Sequence, residues 1–186
     1  MKTCVIVPLT EEGGDLSDMV EGIRRVLTGS MVIVLVDSGM NFTEQARLLI
    51  ESGIGKIEYL GLSGLSDMDE AILAGLDQAP ASDVLIVYDP RRDDHKALPQ
   101  ISDKIMNGHD LVLVQDSGEI RDGFVYRLAR NAFSRFYRLM AGHDLVEDAV
   151  RYRGMAYRVA AYVTAHDDAV VAHRSLPALA GFKTAK

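Results

Sequence analysis

CVIVPLTEE, residues 4–12, sets an unbroken apolar run against a proline and two acids. A strand that alternates apolar and polar residues has one wet face. Val5, Ile6 and Val7 leave no such face, so this strand belongs in a parallel sheet covered by helices on both sides. The same form recurs downstream. Met31 to Val36 is a second run ending at Asp37-Ser38-Gly39, and Val84 to Tyr88 is another, ending at Asp89. Lys56 to Leu60 and Leu111 to Val114 supply two further strands, and Tyr152 to Met155 a short one.

Helical spacing fills the gaps between these runs. Asp15 caps a helix carrying Leu16, Met19, Val20, Ile23, Val26 and Leu27, which stops at Gly29. A weaker helix passes through Ala46, Leu49 and Ile50 to Gly53. Asp67, with Glu70 three positions on, forms a capping box that opens a helix with Met68, Ala71, Ile72, Gly75 and Leu76. Leu98 to Met106 and Tyr157 to Thr164 are helices by the same spacing. Strands alternating with helices at this interval predict right-handed βαβ units around a mainly parallel sheet, with Val5, Ile33, Val34, Leu85, Val87 and Leu113 in its core.

Composition bounds what such a sheet can do. A chain of 186 residues, 48% hydrophobic, supports one core, so a single domain over 1–186 is expected, best specified over 3–165. The tail, 166–186, is weakly patterned and reads as extended or swapped onto a neighbour. No apolar run reaches the roughly 18 residues of a membrane span, and the Met1-Lys2 start leads straight into a strand, so a cytoplasmic location is expected. Cys4 is the only cysteine, which excludes a disulfide framework and a cysteine-rich zinc site.

Net charge is -7 but uneven: residues 1–120 carry 9 Lys/Arg against 21 Asp/Glu, and residues 121–186 carry 11 against 6. An acidic surface of this kind argues against nucleic acid and leaves phosphate groups or a membrane surface as partners for the basic third. That third holds a predicted amphipathic helix, 124–140, with Arg127, Arg130, Arg135 and Arg138 beside Phe133, Phe136, Tyr137 and Met140. Its apolar stripe either packs on the sheet or meets a partner chain, as in a homodimer, or a membrane as a peripheral contact.

Ligands of open α/β sheets bind beyond the carboxyl ends of the strands, where the strand order switches direction. Here those ends are acidic: Glu11-Glu12, Asp37 and Asp89, the last followed by Arg91, Arg92, Asp93 and Asp94. They suit recognition of base and ribose by hydrogen bonds, or of a diphosphate through a cation. The histidines, at 95, 109, 143, 166 and 173, have no metal-ligand spacing, no serine sits in a nucleophile elbow, and the glycines at 61 and 64 lack a Walker lysine.

In order and spacing, the segments VIVPLTEE, LVDSGM, ILAGL, VYDP, YRLARNAFSRFYRLM and EDAVRYRGMAYRV resemble the family 2 glycosyltransferases of the dolichyl-phosphate-mannose synthase type. That resemblance implies a three-layer, Rossmann-like GT-A fold and a nucleotide-diphospho-sugar ligand. It places nucleotide contacts on Pro8, Glu12 and Asp37, and the first acid of a metal motif on Asp89. The chain departs from the pattern in four places. Thr10 stands where an aromatic stacks on the base, Ser38 where a second acid is common, 65–69 brings acids and bulk, and Arg91 replaces the second acid of the metal motif.

One carboxylate makes a weak cation site, so the cofactor expectation is none, or a weakly bound Mg or Mn at Asp89. Arg91 and Arg92 can bind the diphosphate with forked donors, or stay solvated against Asp93 and Asp94. Asp89, Asp93, Asp94 and His95 are the alternative metal set. The resemblance implies transfer of a sugar to a lipid-phosphate or other acceptor. The altered motifs also fit a relative without turnover, serving as a binding or oligomeric scaffold.

Overall fold

The computed structural model describes residues 2–10, 15–64, 66–90, 93–114, 153–166 and 180–185. Glu12, Arg91, Arg92 and the 124–140 helix lie outside the described residues. In chain order the elements are β1 (Lys2–Leu9), α1 (Leu16–Val26), β2 (Ser30–Asp37), α2 (Thr43–Glu51), β3 (Lys56–Gly61), α3 (Met68–Gln78), β4 (Val84–Val87), a single 3-10 turn (His95–Ala97), α4 (Leu98–Met106), β5 (Leu111–Leu113), β6 (Arg153–Ala156), α5 (Tyr157–Thr164) and β7 (Thr184–Ala185).

The strands form a seven-stranded sheet in the order β3-β2-β1-β4-β6-β5-β7. It is mostly parallel; only β6 runs against its neighbours β4 and β5. Two apolar layers cover it. On one face Val5, Val7, Ile33, Leu35 and Ile86 pack with Val20 and Ile23 of α1, Ala46 and Leu49 of α2, and Ile101 and Ile105 of α4. On the other, Cys4, Ile6, Val34, Leu85, Val87 and Leu113 pack with Ala71, Ile72 and Leu76 of α3 and Val159 and Val163 of α5. All six residues expected in the core are buried, at no more than 2% exposure. Two glycines set the layer spacing. A Cβ on Gly75 would collide with Ile6 and one on Gly154 with Ile101, so α3 and α4 lie against the sheet at positions where only glycine fits.

Some boundaries shift. Tyr88 ends the fourth apolar run but lies past β4, and Val114 past β5. The expected strand over 152–155 forms at Arg153–Ala156. The last residues return to this chain's own sheet: β7 pairs with β5 in parallel, Leu111 against Thr184. Asp110 fastens that return. Its carboxylate accepts the Arg158 Nε–H at 2.7 Å and the Lys183 N–H at 3.0 Å, while its own N–H donates to the Lys183 carbonyl at 2.7 Å. Burial works to raise the Asp110 carboxyl, but the Lys183 N–H and the Arg158 guanidinium prevail and hold it below the ordinary aspartate value.

Candidate nucleotide cleft

The strand order turns at β1, with β2 and β3 on one side of it and β4 on the other. At this switch the ladder runs on past the strands: the Ser38 N–H donates to Leu9 O at 3.1 Å and the Tyr88 N–H to Ile6 O at 2.9 Å. Register then sets the heights. Leu9 pairs with Asp37 and Ile6 with Val87, so Asp37 ends β2 opposite Leu9 while Asp89 comes two residues past the last β1–β4 pair. Asp37 and Asp89 therefore follow the two strands that flank β1, at the carboxyl edge of the sheet. Pro8 is buried beneath that edge, and Asp89 is half-buried on it.

Asp37 is 3% exposed and engaged on both oxygens. Oδ1 accepts the Met40 N–H at 2.7 Å; Oδ2 accepts the Phe42 N–H and the Tyr59 hydroxyl, both at 2.7 Å. The carboxylate therefore holds the 38–42 turn in place, with Asn41 at a φ of 63°. The Thr43 hydroxyl lies 3.0 Å from Tyr59 Oη, and since the Tyr59 proton points at Asp37, Thr43 is the donor of that second bond. Burial, and then the Asp37 carboxylate, raise the Tyr59 phenol above its ordinary value. Beyond these side chains opens a cavity of about 350 Å³, lined by Asp37, Gly39, Asn41, Thr43, Tyr59, Gly61, Leu62 and Ser63. Its far wall leans on the same turn, as the Leu62 N–H donates to Asp37 O at 2.9 Å and the Ser66 N–H to Ser38 O at 3.4 Å.

The β4 end is built differently. The Asp89 N–H donates to Asp93 Oδ2 at 2.7 Å and the Asp93 N–H to Asp89 O at 2.9 Å, a reciprocal pair that ties the two acids together. Asp94 caps the following 3-10 turn through the Lys96 N–H at 2.9 Å. Burial first, then Asp93, Asp94 and Asp89, push the Tyr88 phenol up to about 12. Two acids of the alternative metal set thus shape their own loop. Among the described residues no group of three or more His, Cys, Asp or Glu is placed to hold a metal ion, so the Asp89, Asp93, Asp94 and His95 set is not assembled. Asp67 caps α3 as its spacing to Glu70 predicts, accepting the Asp69 and Glu70 N–H groups at 2.8 and 2.9 Å.

Sequence reasoning missed two residues at this edge. Tyr59 entered it only as part of a strand, yet it faces Asp37 diagonally across the β2–β3 ladder, where Leu35 pairs with Tyr59 and Asp37 with Gly61. Arg153 is 1% exposed at the start of β6, opposite Val87 and Leu113. Pairing puts it on the same face as Val87, at the last position of the β4–β6 ladder. The only signal in the sequence was an arginine opening a strand of small and apolar residues, where a buried charge costs several kcal/mol unless it is compensated.

No family model matches the sequence, and no curated protein matches it. Solved structures do. The mannosyltransferase PcManGT from Pyrobaculum calidifontis, in complex with GDP-Man and Mn2+, superposes with a TM-score of 0.64 at 14% identity, over 98% of this chain and 53% of that one. Glucosyl-3-phosphoglycerate synthase from Mycobacterium tuberculosis, in complex with Mn2+, UDP and glucosyl-3-phosphoglycerate, gives 0.57 at 17% identity, over 85% and 57%. S. aureus TarS 1-349 gives 0.58 at 14%, over 86% and 48%. The chain thus spans about half the length of these proteins. At such identities the likeness is one of fold: the seven-stranded, mostly parallel sheet is that of the GT-A glycosyltransferases. Among the described residues no helix is long and apolar enough to cross a membrane.

Proposed function

We propose that the chain binds a nucleotide-diphospho-sugar along the carboxyl edge of β1, β2 and β4, and passes the sugar to a lipid-phosphate or other acceptor in the manner of the dolichyl-phosphate-mannose synthase type. The observation that supports the reading is the cavity opening beside Asp37 at the carboxyl end of β2, with Asp89 just past the carboxyl end of β4 on the other side of the switch strand. A nucleoside fits the Asp37 side, where the carboxylate and the hydroxyls of Thr43 and Tyr59 offer hydrogen bonds; Glu12 is assigned to the same half. The diphosphate then extends toward Asp89, Arg91 and Arg92.

The donor set at Asp89 does not fit a divalent cation held by protein carboxylates, because Arg91 replaces one acid and Asp93 is bonded to the Asp89 N–H. Charge neutralisation falls instead to guanidinium groups, which match phosphate oxygens with forked donors and are always charged. Buried Arg153, paired with Val87 at the end of β4, adds a positive charge beneath this end of the sheet. The basic 124–140 segment is assigned to contact with a second copy of the chain or with a membrane surface, in a cytoplasmic protein of a single domain.

A second reading, a binding module without turnover, is favoured by one observation: Asp37 and Asp93 are both fastened to their own loops. Calorimetric titration with UDP- and GDP-sugars, followed by an assay for sugar release onto lipid-phosphate acceptors, separates the two. Binding with transfer supports the enzyme, binding alone the module, and no binding at millimolar concentration contradicts both.

A further inference from the structure

Resting on that reading, the hydrogen bonds around Asp37 specify the base. An ionised carboxylate offers about four acceptor positions. Three are taken in this chain: one on Oδ1 by the Met40 N–H, and both on Oδ2, by the Phe42 N–H and the Tyr59 hydroxyl. The Tyr59 hydroxyl cannot turn away without cost, because Thr43 donates to it from the other side. One acceptor position is left, on Oδ1, in a residue that is 3% exposed and lines the cavity.

We infer that Tyr59 is a specificity-determining residue that restricts this site to a base presenting one N–H donor, the imide edge of uracil, and turns away guanine. Uracil offers N3–H between two carbonyls, which the Ser63 hydroxyl and the Asn41 amide can serve from the cavity wall. Guanine presents N1–H and the 2-amino group side by side. Its second donor meets an oxygen already filled by Tyr59 and Phe42, and a donor left unpaired in a desolvated pocket is heavily penalised. Cytosine and adenine present a ring nitrogen lone pair where the carboxylate needs a proton, so they are refused by repulsion.

The test is a ladder of diphosphates titrated into the intact chain by calorimetry. Hypoxanthine keeps the N1–H of guanine and lacks the 2-amino group, so IDP against GDP isolates the donor count from the size of a purine. The wild-type chain is expected to bind IDP about tenfold more tightly than GDP, and UDP at least tenfold more tightly than N3-methyl-UDP. Tyr59→Phe opens the second position on Oδ2 and should erase or invert the IDP preference, a change in ratio that mere loosening of the fold would not produce. GDP binding as well as IDP, or N3-methyl-UDP as well as UDP, overturns the inference while leaving nucleotide binding intact. Failure of every nucleotide to bind instead overturns the reading on which it rests. Should Tyr59→Phe not fold, the wild-type ladder alone decides.

Discussion

Asp37 and Asp89 follow their strands in the same way, each the first acid after a buried apolar run, yet the two ends of the cleft are put together by opposite means. At β2 the carboxylate itself is the fastener, accepting three hydrogen bonds from the turn and from β3. At β4 the backbone of Asp89 is held by a second acid, Asp93, four residues on. A parallel sheet fixes where such acids stand. The loop after each strand decides how they are used: a Gly39-Met40-Asn41 turn folds back on its own acid, whereas at β4 Asp93 bonds the backbone of Asp89. On the proposed reading, the first end recognises the base by hydrogen bonds and the second meets the phosphates.

Breaking the first end should have the largest effect. Asp37→Ala leaves two backbone N–H groups and a phenol without their acceptor, and is expected to cost about 3 kcal/mol in urea unfolding while abolishing nucleoside binding. If the substitution costs under about 1 kcal/mol, the carboxylate is not the fastener of this turn. Next in size, Arg91→Ala should weaken a nucleoside diphosphate by roughly 1.5–3 kcal/mol in calorimetry and leave the bare nucleoside unchanged, because only the β4 end meets phosphate. Equal loss for both ligands would erase the division between the ends.

Much of this was legible in the sequence. Asp67 and Glu70 announced their capping box, the Leu98 and Tyr157 helices begin and end where their spacing says, and the unbroken runs named the buried strands. Those signals are local, since a cap or a period is complete within a few residues. The antiparallel course of β6 was not legible, because RGMA is too short to show a direction. Nor was the Tyr59 bond to Asp37, which depends on the register of two strands and joins residues 22 apart. Tyr88 continued the apolar run past β4 because it is buried by packing at 4% exposure, with its N–H still bonded to Ile6 O.

A smaller change sharpens the second end. Asp93→Ala removes the acceptor of the Asp89 N–H and should cost about 1 kcal/mol in stability, with a measurable loss of diphosphate affinity as the tie between the two residues is lost. Unchanged affinity would place the phosphates elsewhere. The smallest effect lies outside the cleft and serves as its control. The Asp110 carboxyl is held below its ordinary value in the folded chain, so its contribution is complete above the unfolded aspartate value and is lost as pH falls through the lower, folded one. Urea unfolding between about pH 5 and 2 should therefore show a steeper loss for the parent than for Asp110→Asn, with nucleotide affinity at neutral pH equal in the two.

The central claim is that one cleft reads the nucleoside at Asp37 and neutralises the diphosphate at the β4 end with fixed cations. Calorimetric titration of UDP, in manganese and again with a chelator, tests it most directly. Weak binding, little altered by the chelator, is the expected result. Binding that appears only with manganese, or no binding at millimolar UDP, would contradict it.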